Sequence, residues 1–263
     1  MNYYLIFIIT NITIMWKRLT EYKASFYSAF FEQLFFIPGY FLFVYVISYS
    51  FSEILNWAPL YIFLFVMLED TLRTLAGVFA WKSDFLSDMI KKGSINNLLF
   101  RPKGTIFKYY FTDLSPSSFT YVIINIPVII GLMIYLDISY YTLFLLLILS
   151  LLITILYFFF FNFVYVFAFY LIDVEKTLIT LFFRSNSLFI QYPAPFFTSF
   201  SNYKLFYIFP AFILGYVLIP IIMGKSNIDI LELFLILIGI IVVLNIIINI
   251  LWKQGLKKYE AYG

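Results

Sequence analysis

The chain has 263 residues, 63% of them hydrophobic and only 12% charged, against roughly 25% charged residues in ordinary water-soluble domains. Several apolar runs of about 20 residues cannot share one water-soluble core of this size, so composition predicts an all-α integral membrane protein. Without histidine or cysteine it has no imidazole base, thiolate nucleophile, zinc site of the usual ligands or disulfide, and the net charge of +3 matters through its distribution along the chain.

Met1 to Trp16 is apolar over about 14 positions, about 21 Å as a helix, which is short of a hydrocarbon core of about 30 Å. Lys17, Arg18 and Lys23 follow at once. With no basic stretch ahead of it and no small-residue cleavage site behind, the segment does not read as a secretory signal. It predicts an interfacial elbow helix, with an irregular segment as the alternative.

The first span is predicted over residues 25–49, with Pro38 and Gly39 marking a kink, and the second over 57–80. Between them lies Glu53 and no basic residue, as suits an outer loop. Residues 81–113 then form the one long polar island, carrying Lys82, Lys91, Lys92, Arg101, Lys103 and Lys108. By the positive-inside rule this is a cytoplasmic loop. The third span is 115–136 and the fourth 140–172, whose length of about 50 Å makes it tilt or project beyond the bilayer toward Asp173, Glu175 and Lys176.

Three further apolar runs cover 177–200, 203–223 and 229–252. If each crossed, the tail with Lys253, Lys257 and Lys258 would lie outside, against the charge rule. Pro210, Gly215, Pro220 and Gly224 interrupt the run 203–223, and broken apolar segments are tolerated where protein buries them. The predicted layout is therefore one domain over residues 1–263 with six transmembrane helices, both termini cytoplasmic, and an outer re-entrant pair of short helices at 203–223. It places thirteen basic residues inside (three at the elbow, six in the island, Lys176 and three in the tail) and only Lys204 and Lys225 outside.

Glu69, Asp70 and Arg73 stand within the second span, where a lone charge costs about 2.5 to 3.5 kcal/mol. Their i,i+4 and i,i+3 spacings put them on one side of a helix, where they neutralise one another in part. Two readings stand: a self-contained ion cluster facing neighbouring helices, or the polar lining of a translocation path or subunit seam. Glu32, Gln33, Asn125, Asn162, Asn245 and Asn249 are expected to make interhelical hydrogen bonds, worth about 0.6 kcal/mol on average. No paired nucleophile and base, no metal ligand set and no GxxxxGK phosphate loop occurs, so the chain is expected to be no enzyme and to hold no cofactor of its own. The thirty-five Phe and twenty-three Tyr are read as packing and interface anchors rather than as a drug-binding cage.

Within the island, Asp84 to Lys92 predicts a helix that stops at Gly93. Ser94 suits the N-cap of a second short helix, Ile95 to Phe100, closed by Pro102 and Gly104. That helix would show Ile95, Leu98 and Leu99 on one side with Arg101 at its end. It is either a knob for a groove in another protein or a helix lying flat on the lipid surface.

The string KKGSINNLLFRPKG (Lys91 to Gly104), the segments QYPAPFFTSF and FPAFILGYVLIP (Gln191 to Pro220), and the ending WKQGLKKYEAYG (Trp252 to Gly263) resemble the permease subunits of type-2 ABC transporters, in particular a bacterial six-span subgroup. The resemblance covers essentially the whole chain. It implies an amphipathic elbow, six spans, a coupling helix between spans two and three, and re-entrant helices between spans five and six. Charge and length lead independently to the same layout. It further implies a bacterial cytoplasmic membrane, a second permease (identical or a sister chain), no nucleic acid, and a cytoplasmic ATPase subunit that binds ATP and Mg. The coupling helix would be Gly93 to Arg101, with Leu98 and Leu99 in the ATPase groove beside Ile95 and Pro102. The function so implied is export of a substrate driven by that ATPase. A non-transporting subunit that couples an ABC ATPase to mechanical or signalling work is the alternative, and a membrane-embedded transferase is opposed by the missing histidine and the lack of a polar catalytic cluster.

Overall fold

A computed structural model describes residues 3–55, 57–96, 105–171, 175–192, 197, 203–225 and 230–259, and every regular element among them is helical. Helix α1 (Tyr3–Glu21) is separated by Tyr22 alone from α2 (Lys23–Leu55). Helix α3 (Pro59–Ala80) passes through a 3₁₀ turn, Trp81–Phe85, into the short α4 (Leu86–Lys91). Then come α5 (Thr105–Phe111), α6 (Pro116–Tyr135), and α7 (Tyr140–Tyr165), which ends in the 3₁₀ turn Val166–Phe169. Helix α8 (Glu175–Gln191), a 3₁₀ turn Tyr203–Ile208, the broken helix α9 (Pro210–Ile222) and α10 (Ile230–Lys258) complete the chain.

Local chemistry sets most of these boundaries. Pro59, Pro116 and Pro210 open α3, α6 and α9, where a missing N–H costs nothing. The side chains of Ser115 and Ser139 cap α6 and α7 by accepting from the N–H groups of Ser118 and Thr142, both at 3.3 Å. Among the described residues, four helices stop on a left-handed residue: Gly93 (φ 67°), Asp113 (φ 58°), Asp137 (φ 50°) and Gly224 (φ 66°). After α6 the N–H of Asp137 reaches Ile134 O at 3.1 Å and that of Ile138 reaches Met133 O at 3.2 Å. After α9, Gly224 and Lys225 bond to Ile221 and Pro220 in the same pattern.

Four helical stretches are long and apolar enough to cross a membrane: Phe26–Val46, Pro116–Tyr135, Tyr140–Phe169 and Ile230–Lys258. Helix α3, at 22 residues, has the length, about 33 Å, but carries the three charges. It is the central element, packed against α2, α6 and α7, with Leu64, Phe65 and Met67 inaccessible. Helix α7 bridges α3 to α10 through Leu149, Ile153 and Leu156.

Several boundaries differ from the expected ones. Helix α1 runs through Lys17 and Arg18 to Glu21, and α2 continues without interruption through Pro38. An interior proline forfeits a hydrogen bond but need not end a helix that is otherwise sustained on both sides. The expected span 177–200 is a helix of 17 residues ending at Gln191, because Pro193 disfavours helical backbone at Tyr192 and Pro195 repeats the signal. The expected fourth helix to residue 172 changes to 3₁₀ geometry at Val166, whereas α10 outlasts its expected end at 252 and reaches Lys258. Burial explains that extension, since Trp252 and Gly255 on its last turns are covered.

In the broken segment, Ile219 N–H donates five residues back to Leu214 O, making a π turn over Leu214–Leu218. The next residue, Pro220, has no N–H to offer. At 13 residues, α9 is about 20 Å long and too short to cross a bilayer. An aromatic knot holds it: Phe189 of α8 meets Phe197, Phe206, Phe209 and Phe212 with ring centroids 4.8 to 5.4 Å apart.

The polar island is a folded layer at one end of the bundle. Leu86, Ile90, Ile95, Tyr109 and Tyr110 form a core with Val166, Phe169, Ile248 and Trp252 from the ends of α7 and α10. Helix α1 joins the same end, where Met15 is buried with Val78 and Leu114.

Candidate functional site

A polar network runs through the helix core from the charged turn of α3. Arg73 bonds Asp70 at 2.7 Å and Glu69 at 3.2 Å, so the helical spacing does bring the three together. The carboxylates then reach other helices. Asn125 of α6 donates to Asp70 Oδ2 at 3.0 Å and accepts from Gln33 of α2. Tyr157 of α7 donates to Glu69 Oε1 at 3.1 Å. Asn186 of α8 lies within reach of the Tyr157 hydroxyl, and its Oδ1 accepts from Ala211 N–H at the start of α9 at 3.4 Å.

The triad is thus shared among helices and is not self-contained on α3. Glu69 is 3% exposed, but the Arg73 side chain is 42% exposed and stands in a cleft of about 320 Å³ between α2, α3 and α6. Glu32, Gln33, Thr74, Tyr121 and Phe161 complete much of its wall. Glu32 accepts a hydrogen bond from Tyr121 of α6. Two carboxylates, Glu69 and Asp70, therefore meet one guanidinium at the edge of the core, and Glu32 lines the same cleft. Because the carboxylates share Arg73, removing that one residue would strand buried charge, at a cost of about 3 to 5 kcal/mol.

A family model described as "ABC-2 family transporter protein" matches residues 34–263. The chain belongs to the ABC-2 transporter family. No curated protein and no solved structure matches it. As an ABC-2 permease it is the membrane-embedded, non-catalytic part of an ABC transporter, crossing the bilayer several times and working with an ABC ATPase.

The remaining predicted positions of this ABC-2 permease fall as follows. Gly93 ends α4 with positive φ. Ile95 is wholly buried in the layer between α4 and the ends of α7 and α10; it anchors the island from inside, where burial of such a side chain is worth about 1.5 to 3 kcal/mol, and does not offer the docking face expected of it. Ser94, expected to cap the next helix, turns its hydroxyl back to Met89 O at 3.4 Å. Leu98, Leu99, Arg101 and Pro102 lie outside the described residues. Pro210 opens α9, Gly215 sits in its π turn and Pro220 follows it.

Of the intramembrane amides, Asn125 makes interhelical bonds as expected, and Asn162 accepts from Ser83 of the island. Asn249 differs, donating to Asn245 of its own helix, because an i,i+4 partner is always within reach on a helix. Tyr157 and Asn186 were not singled out. No periodic signal separates one tyrosine of twenty-three from the others.

Proposed function

We propose that this ABC-2 permease is an exporter subunit of the bacterial six-span kind, with both termini cytoplasmic, paired with a second permease that is identical or a sister chain. Two crossings join the four long apolar helices. Helix α3 supplies one, its carboxylates paired with Arg73 and hydrogen-bonded by Asn125 and Tyr157, and α8 supplies the other. The segment 203–223 enters and leaves from the outer face. The ATPase, carrying ATP and Mg, docks on residues 93–102, and its closure is transmitted through the island, whose core interlocks with the ends of α7 and α10.

The observation that carries the transport reading is the half-exposed Arg73 in a polar cleft beside a buried ionic network. Lipid offers such a wall no hydrogen bonds, whereas a path or seam between two permeases would hydrate or pair it. Its test is the double substitution Glu69→Gln with Asp70→Asn, which keeps side-chain shape but removes both charges and turns one acceptor oxygen of each into a donor. The reconstituted complex is assayed in vesicles against labelled peptides, lipids and drugs. Loss of at least tenfold in transport, with the ATPase still copurifying, is expected. Unchanged transport with unchanged assembly rejects the assignment.

A further inference from the structure

Two clefts at the junction of α1, α2 and α6 share a wall. The larger, about 390 Å³, is lined by Trp16, Leu19, Lys23, Phe26, Tyr27 and Ile123 among others. The smaller, about 260 Å³, is lined by Arg18, Leu19, Tyr22, Phe26, Ser117 and Thr120 among others. Leu19 and Phe26 belong to both, so the two form one groove with an apolar end and a polar end. The larger compartment alone falls within the roughly 300 to 1,000 Å³ of ligand pockets.

We infer that this groove holds one anionic phospholipid, its phosphate between Arg18 and Lys23 and an acyl chain along Trp16, Tyr27 and Ile123. The charge at this corner favours an anion. The charged residues lining the two clefts are Arg18 and Lys23, and the nearby Asp113 carboxylate is already held by Arg18 at 3.3 Å and Lys82 at 3.2 Å. Lys23 enters no ion pair among the described residues.

The walls favour a lipid over a soluble anion. Trp16, Tyr27 and Ile123 are 54%, 55% and 41% exposed, an apolar surface for which inorganic phosphate has no use. Aromatic side chains beside basic ones mark the level where headgroup meets hydrocarbon, and basic pockets between membrane helices suit anionic headgroups. A zwitterionic lipid would fill the apolar end but leave the excess positive charge unmatched. Occupancy would brace α1 against α2 and α6, beside the contact of Met15 with Val78 and Leu114. The inference needs only the bilayer setting of an ABC-2 permease and stands apart from the transport reading.

The test uses the full chain purified in micelles of detergent and phosphatidylcholine, with phosphatidylglycerol titrated in. Thermal midpoint and native mass spectrometry are the readouts. Retained phosphatidylglycerol and a rising midpoint are expected, with apparent affinity at least tenfold weaker in Lys23→Glu and in Ile123→Trp. Lys23→Gln and Ile123→Phe are milder forms should either variant not fold. Glycerol phosphate alone should give no shift. Equal stabilisation of parent and variants would mean general surface attraction, an equal effect of glycerol phosphate a free-anion site, and an equal effect of phosphatidylcholine ordinary lipid contact. Each of these overturns the proposal.

Discussion

At the scale of single residues, the tightest position is Gly255 near the end of α10. A Cβ built there would lie 2.5 to 2.9 Å from Cγ, Cβ and Cδ2 of Phe169, at the root of a side chain that cannot swing away. Alanine gains about 1 kcal/mol in helix propensity over glycine, but overpacking of this kind costs about 1 to 3 kcal/mol. Gly255→Ala is therefore expected to lower the thermal midpoint of the purified protein, and Phe169→Ala, which removes Cγ and Cδ2, to cost less in the Gly255→Ala chain than in the parent. A raised midpoint in the single variant would show the contact to be slack. Nothing local in the sequence marks Gly255, since its constraint comes from a residue 86 positions earlier. Glu69, Asp70 and Arg73 were legible because charge in an apolar run is costly wherever it stands. Their partners Gln33 and Asn125 were visible as intramembrane polar groups, but the pairing between them was not.

Among elements, the island, α1 and the start of α6 are tied by Asp113, a left-handed residue (φ 58°) between α5 and α6. Burial pushes its carboxyl up, but the charge and hydrogen bond of Lys82, helped by Arg18, outweigh this and hold it below the usual carboxylate range. A carboxyl depressed in the folded state contributes stability that is present above its unfolded value, about 3.9, and is lost as pH falls through the folded one. The midpoint of the parent is expected to drop below about pH 4 more steeply than that of Asp113→Asn, in which asparagine keeps the left-handed backbone. Parallel curves would remove Asp113 from the account. The side chain is about half exposed, so the difference will be modest. Turn signals made this level partly legible. Gly93 stops α4 as its type predicts, and prolines set the start or end of α3, α6, α8 and α9. The helix Thr105–Phe111 was missed, because seven residues are too few for an apolar period to show.

For the whole molecule, the fold packs the described part of the island onto the ends of α7 and α10. If the ATPase grips residues 93–102, Leu98→Asp with Leu99→Asp should abolish copurification of the ATPase while leaving the permease folded, as judged by its own midpoint. Intact copurification would sink the docking assignment. Hydropathy, charge bias and the positions of proline and glycine determined on their own the all-helical membrane class, the approximate helix order and the turn of α3 where ions enter the core. These are properties that each segment carries in its own composition. Only the tertiary structure decided that the ion triad is hydrogen-bonded by α6 and α7, that Ile95 anchors the island from within, and that α1, α2 and α6 enclose a basic, amphipathic groove. Those depend on side chains as far as 95 residues apart, as Arg18 and Asp113 are, meeting across packed helices. No local pattern encodes which faces meet.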